Sequence, residues 1–232
     1  MKINFKWNKK AYDDFVKYLV SIKDEKNKEF NERIIETKYE MLGIKMPVLK
    51  SIAKDISKTN FLEFFEFCED KYYEEVMIQG LLLSYIKDDN LFLEYLHKYV
   101  FKIDSWALCD SCVLSYKIMK KSDYSDIAYS FILDSHEYIQ RVGYVILLIY
   151  YVDDDHIKDI LSLCQKESDY YYVNMAIAWL LSVCFVKCRS NTLDLLKSKK
   201  LSPFVQNKTI SKIRESFRVS KEDKELVNKY KI

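Results

Sequence analysis

Glycine and proline are scarce in this chain, with three glycines and two prolines among 232 residues. β-Sandwiches and α/β folds need many tight turns, which these two residues commonly make. Their scarcity argues against both architectures and predicts an all-α fold. Gly43, Gly80 and Gly143 are also too far apart to form a glycine-rich phosphate-binding loop, which argues against a nucleotide-dependent enzyme.

The sequence also lacks a long apolar run. Its most apolar segments, residues 144–152 and 173–186, are too short to span a bilayer, and the first residues lack the apolar stretch of a signal peptide. We therefore expect a cytoplasmic protein with no membrane partner. Six cysteines in such a compartment are expected to be free, reduced thiols.

Cys109 and Cys112 have Cys-x-x-Cys spacing, but a thioredoxin-like role would need a βαβ context that the sequence does not predict. A zinc site would need two more ligands, and the candidate pair Cys184 and Cys188 lies four residues apart in an apolar helix. The three histidines have no ligand spacing either. We therefore expect no metal site and no cofactor.

Charge is nearly balanced overall, with a formal net charge of +2, but it is unevenly distributed. Residues 187–232 contain 13 Lys and Arg against 5 Asp and Glu, whereas residues 121–170 contain 4 against 10. A basic end of this kind is able to bind phosphate. The alternative interpretation is an ordinary solvated helix surface.

Apolar residues at helical spacing predict a series of helices joined by short polar connections. Asn8 is expected to cap the first helix, 9–22, and the charged stretch 23–28 is expected to form a loop. Gly43 is expected to end a helix in a left-handed turn, and Pro47 suits the first turn of the next helix. The other predicted helices are 48–56, 60–69, 73–86, 91–102, 105–119, 123–133, 137–151, 156–166, 171–187, 192–199, 202–216 and 221–229.

Similar segments recur at 75–80, 138–141 and 172–175, the last two 34 residues apart. A period in the thirties built of helix pairs predicts a helical solenoid, here a single domain over residues 1–232. The second helix of each pair lines a concave surface in such an array. Trp106, Arg141 and Trp179 are therefore expected on successive inner helices, sharing one wall.

Trp106 and Asp110 are four residues apart, so a helix places them on one face. An indole face attracts cations, and a carboxylate supplies a counter-charge or a base. This pair therefore suits a positively charged reacting centre. The alternative interpretation is a core aromatic residue beside a surface charge.

Four features occur in order along the chain: the block 42–47, Trp106 with Asp110, the block 139–141 and the block 176–180. On these features the chain resembles the DNA alkylation repair enzymes, a family built from HEAT-like repeats, from about Thr37 to Phe217. This family resemblance implies a right-handed superhelix of helix pairs, with duplex DNA in a basic concave groove. It also implies a glycosylase that excises cationic alkylated purines, such as N3-methyladenine and N7-methylguanine, in base excision repair.

By resemblance, Trp106 and Trp179 would pack against the deoxyribose and offer ring faces to the cation. Asp110 would stabilise the oxocarbenium-like sugar and orient a water molecule. Arg141 would hold the adjacent phosphate and help position Asp110. An alkylated base is already a good leaving group, so this chemistry requires no metal.

The chain departs from the family pattern at three positions: Ser182 replaces a basic residue, Met175 a lysine and Ile34 a tyrosine. Each missing basic residue lowers the salt-dependent affinity for DNA phosphates, by roughly the contribution of one released counterion. Other basic residues are candidates to compensate and are our predicted DNA contacts: Lys45, Lys50, Lys187, Arg189, Lys208 and Lys212.

Together these features predict a monomeric, metal-independent glycosylase whose partner is duplex DNA containing alkylated bases. Two alternatives remain open. One is a non-catalytic relative that binds distorted or branched DNA, and the other is a helical-repeat scaffold for protein partners.

Overall fold

The computed structural model describes residues 6–232, so the first five residues of the predicted domain lie outside the described part. Its described residues form helices and no strand, apart from an isolated parallel bridge between Glu40 and Tyr72. The all-α prediction is confirmed, and the arrangement is consistent with a helical-repeat fold. The helices are α1 (Lys9–Ser21), α2 (Glu25–Glu32), α3 (Met46–Ile56), α4 (Phe61–Phe67), α5 (Tyr73–Leu82), α6 (Asp89–Val100), α7 (Trp106–Val113), α8 (Ser125–Ile132), α9 (Glu137–Tyr150), α10 (Ile157–Leu163), α11 (Tyr171–Lys187), α12 (Arg189–Ser198), α13 (Pro203–Glu215) and α14 (Lys221–Asn228).

The helices divide between two compact units, a first unit that extends to Lys121 and a second unit from Ser122 to Ile232. Short 3₁₀ turns at Leu83–Tyr85 and Lys117–Lys120 follow α5 and α7 in the first unit. The single domain expected over residues 1–232 stays a prediction.

Two local predictions near the start of the chain are wrong. The stretch 23–28 contains the start of α2 instead of a loop, because the Asp24 side chain accepts a hydrogen bond from the Asn27 N–H at 3.1 Å and caps the helix. Gly43 does adopt a left-handed φ of +77°, but it lies in an extended segment and ends no helix. A side chain there would clash, since a Cβ atom would lie 2.3 Å from the Asp24 carbonyl oxygen.

Helix α5 forms the centre of the first unit. All ten of its residues are buried, and it packs against α3 and α7. Two adjacent glutamates, Glu74 and Glu75, are buried with it. Glu75 accepts hydrogen bonds from the Tyr12 hydroxyl and the Tyr72 N–H, and so links α1 to the start of α5.

The Glu74 carboxylate lies in a cradle of backbone donors. The N–H groups of Leu42, Gly43 and Ile44 donate to it at 3.0, 2.7 and 3.1 Å. Burial raises the pKa of Glu74, and the three backbone hydrogen bonds act in the opposite direction. This carboxylate therefore replaces the helix or strand partners that the extended segment 42–44 lacks.

Helix α11 forms the centre of the second unit, where it packs against α9, α12 and α13. Helix α9 also packs closely against α8. Gly143 allows this approach, since a Cβ atom at its position would lie 2.5 Å from the Ala128 carbonyl oxygen. The helices α9, α11 and α13 thus follow one another in space as neighbours. This is the stacking that a repeat of helix pairs produces.

A histidine before α10 predicts a modest pH dependence of stability in the second unit. The His156 ring nitrogen Nδ1 lies 2.7 Å from the Asp153 carboxylate, and this hydrogen bond raises the pKa of His156. The ion pair stabilises the fold fully below pH 6.5 and is lost as the pH rises through the folded-state pKa. His156→Phe keeps a ring next to Tyr151, whose own ring centroid is 5.4 Å from that of His156.

We expect His156→Phe to lower the unfolding free energy at pH 5.5 by up to about 1 kcal/mol through loss of the ion pair. At pH 8.5, where the ion pair is absent, only the effect of the changed packing should remain. Urea unfolding at the two pH values measures the difference. An equal loss at both pH values would mean that the ion pair contributes nothing.

Candidate functional site

Trp106 and Asp110 share one face of α7, as their spacing predicts. The side chain of Ser105 accepts a hydrogen bond from the Leu108 N–H at 3.5 Å and caps the helix immediately before Trp106. Both residues are half-buried, whereas the α7 residues between them are buried. The pair therefore places a partly exposed tryptophan and a partly exposed aspartate one helical turn apart.

The Trp106 ring is held in place by the segment 34–39 of the same unit. Its indole Nε1–H donates to the Ile34 carbonyl oxygen at 3.1 Å. The Asp104 carboxylate accepts from the Thr37 hydroxyl at 2.8 and 2.9 Å and from the Lys38 N–H at 2.7 Å. Because the indole donor is used internally, the ring itself is the part of Trp106 that remains to contact a ligand.

Asp104 is a positioning residue that the sequence alone does not single out. It directly precedes the cap of α7, and its carboxylate joins the segment 34–39 to the start of that helix. Its only sequence signal is its place two residues before Trp106, which does not reveal a partner 67 residues away. The Ile34 side chain is 45% exposed, so its backbone contacts Trp106 while its side chain faces solvent.

Arg141 lies on α9 in the second unit and is 5% exposed. Its Nη1 donates to the Tyr172 carbonyl oxygen at 2.6 Å, and the Glu137 carboxylate accepts the Tyr172 N–H at 3.0 Å. Tyr172, in the first turn of α11, is therefore bound to α9 through both its N–H group and its carbonyl oxygen. The predicted contact of Arg141 with a phosphate stays a prediction.

Trp179 is half-buried on α11, and Met175, one turn earlier, is half-buried on the same face. Ser182 is buried, and its hydroxyl donates to the Trp179 carbonyl oxygen at 2.7 Å. The hydroxyl of Ser182 is therefore used inside the helix. Along this face, α11 carries Met175 and the internally bonded Ser182, where the family resemblance predicts basic side chains.

The structure thus brings Trp106 together with Asp110 in the first unit, and Arg141 together with Tyr172 in the second. That all four predicted catalytic residues act on one substrate stays a prediction.

The predicted DNA contacts have different surroundings in the structure. Lys45 lies 3.2 Å from the Asp24 carboxylate, and Lys187 donates to the Val152 carbonyl oxygen at 3.0 Å. Arg189 forms a bidentate ion pair with Asp223, which raises the pKa of the guanidinium. Lys50 is exposed on α3. Lys208 and Lys212 are half-buried one turn apart on α13.

All six cysteines are free thiols, as predicted, and five of them are buried. Burial raises the pKa of Cys112 to about 12, and its sulfur lies 3.2 Å from the Tyr99 hydroxyl. This thiol is thus protonated and unreactive at neutral pH.

Within residues 6–232, no group of three or more His, Cys, Asp or Glu side chains is arranged to hold a metal ion. In the same residues, no helix combines the length and apolar character needed to cross a membrane.

Comparison with known protein families gives a match. The model of the family described as DNA alkylation repair enzyme matches residues 16–213, which span most of both units and contain all four predicted catalytic residues. No curated protein and no solved structure matches the chain.

Proposed function

Because the chain belongs to the DNA alkylation repair enzyme family, we propose that it is a DNA glycosylase that excises cationic alkylated purines from duplex DNA in base excision repair. The observation that carries this proposal is the Trp106–Asp110 pair, a half-buried ring and carboxylate on one face of α7. N3-methyladenine and N7-methylguanine are the proposed kind of substrate.

The chemistry of such a substrate suits these two side chains. In DNA, an adenine alkylated at N3 or a guanine alkylated at N7 carries a formal positive charge and leaves readily, so cleavage of the N-glycosidic bond develops positive charge on the deoxyribose. The Trp106 ring face attracts that cation, and the Asp110 carboxylate supplies a negative charge opposite it. Asp110 also orients the water molecule that adds to the sugar. In this proposal no metal, cofactor or strong acid is needed.

We assign supporting roles to the two residues of the second unit. Trp179 offers a second ring to the sugar and the cationic base. The guanidinium of Arg141, fixed by the Tyr172 carbonyl oxygen, holds a phosphate beside the lesion. We further propose that the protein acts as a monomer in the cytoplasm.

Lys208 and Lys212 are the basic residues we expect to contribute most to phosphate binding in the second unit. Each phosphate contact releases counterions, so log K for DNA falls with log salt at a slope of about 0.9 per contact. Lys208→Ala and Lys212→Ala should each reduce that slope by about 0.9, measured by fluorescence anisotropy across a salt series. Lys58→Ala, which removes an exposed lysine paired with Asp55 in the first unit, is the control and should leave the slope unchanged. Unchanged slopes in both variants would exclude these lysines from the interface.

A non-catalytic DNA-binding protein is the second candidate. It is favoured by the α11 face, where Met175 and the internally bonded Ser182 replace basic residues. Incubation of the protein with methylated duplex DNA, without added metal, separates the candidates by the release of free methylpurines. Strong DNA binding without release would favour this second candidate, and a lack of salt-dependent DNA binding would favour a protein scaffold.

A further inference from the structure

Four aromatic rings form a continuous row across three neighbouring helices of the second unit. Tyr138 lies in the first turn of α9, Tyr171 and Tyr172 begin α11, and Phe204 lies in the first turn of α13. The ring centroids are 5.9 Å apart between Tyr138 and Tyr172, 5.2 Å between Tyr172 and Tyr171, and 5.7 Å between Tyr171 and Phe204. We call these four residues the aromatic row.

The outer half of the aromatic row is open to solvent. Tyr171 is 55% exposed and Phe204 is 36% exposed. Neither neighbour stacks flat on Tyr171, since its ring meets that of Tyr172 at 77° and that of Phe204 at 58°. Because more than half of Tyr171 and more than a third of Phe204 are exposed, core packing alone does not account for these two rings. Exposed aromatic residues in contact with one another indicate a binding surface.

The charge around Phe204 indicates the chemistry of the ligand. Residues 197–214 contain six Lys and Arg and no Asp or Glu. Lys208 and Lys212 follow Phe204 by one and two turns of α13, so they share its face. Exposed aromatic rings next to a basic segment are a combination that binds single-stranded nucleic acid, with bases on the rings and phosphates on the cations. A basic peptide would be repelled by this segment.

We propose that the aromatic row binds unpaired nucleotides of a single-stranded DNA segment, with bases stacked on Tyr171 and Phe204 and phosphates near Lys208 and Lys212. The inference rests on the proposed function in taking DNA as the ligand. It adds a substrate class, duplex DNA that carries unpaired nucleotides.

Fluorescence anisotropy with two labelled DNAs tests this inference. One is a blunt duplex, and the other is the same duplex with a tail of about eight unpaired thymidines. The wild-type protein should bind the tailed DNA about 5-fold more tightly or better. Tyr171→Ala and Phe204→Ala should each lose most of this gain, and blunt-duplex affinity should change less than about 2-fold.

Two control variants make the comparison specific. Tyr85→Ala removes an aromatic residue of the first unit that is 37% exposed, close to the exposure of Phe204, and should keep the full gain. Lys208→Ala should weaken binding of both DNAs, because a phosphate contact does not require an unpaired base. Circular dichroism establishes that each variant is folded.

The inference is overturned if the tail gives no gain in the wild-type protein, or if the gain persists in folded Tyr171→Ala/Phe204→Ala. The proposed function is tested separately by base release. A protein that releases methylpurines without a tail-dependent gain overturns this inference alone. A tail-dependent gain without base release supports the inference and contradicts the glycosylase proposal.

Discussion

Asp110→Asn should reduce the rate of methylpurine release by about 100-fold or more, while DNA affinity changes less than about 3-fold. The substitution keeps the size of the side chain and its place on α7 beside Trp106, but it removes the negative charge. That charge is needed only when the sugar becomes cationic, so its loss raises the barrier without weakening the ground-state complex. Single-turnover release from methylated duplex DNA, with affinity measured in parallel, gives both quantities.

Asp126→Asn is the matched control, since it makes the same carboxylate-to-amide change at an exposed position on α8. It should release methylpurines at the wild-type rate. If Asp110→Asn keeps more than about a tenth of the wild-type rate, Asp110 is not the group that stabilises the cationic sugar. A parallel loss of affinity and rate would assign Asp110 to DNA binding instead.

Glu74→Ala should lower the free energy of unfolding by about 3 kcal/mol or more. The truncation leaves the N–H groups of Leu42, Gly43 and Ile44 without their acceptor, in a buried place that water does not reach freely. Glu74→Gln should cost less, about 1–2 kcal/mol, because one amide oxygen still accepts while the amide –NH₂ faces a donor. Urea unfolding followed by circular dichroism measures both.

Glu66→Ala, at an exposed position on α4, is the control and should change stability by no more than about 0.5 kcal/mol. A cost below about 1 kcal/mol for Glu74→Ala would show that the segment 42–44 finds other hydrogen-bond partners. The cradle would then have no structural importance.

Most helices could be predicted because their apolar residues recur at helical spacing. Helix α11 begins and ends where the sequence predicts, and Asn8 caps α1 by accepting the Ala11 N–H at 2.9 Å. Helix α2 could not be predicted this way, because none of its residues is buried and its sequence shows no apolar face. The backbone of Gly43 was predicted correctly as left-handed, but its setting depends on the distant carboxylate of Glu74, which local sequence does not reveal.

The candidate site was predictable only where its residues lie close in sequence. The spacing of Trp106 and Asp110 is a local property of one helix, so their shared face follows from the sequence. The contacts of Asp104 with Thr37 and Lys38, and the aromatic row from Tyr138 to Phe204, join segments that are more than thirty residues apart. Such contacts depend on how helices pack, which composition and periodicity do not specify.

The most direct test of the central claim is the quantification of free bases and abasic sites after the wild-type protein acts on methylated duplex DNA in the presence of a metal chelator. The proposed mechanism predicts that N3-methyladenine or N7-methylguanine is released, with one abasic site formed for each base. DNA that is bound but keeps all of its methylpurines would contradict it.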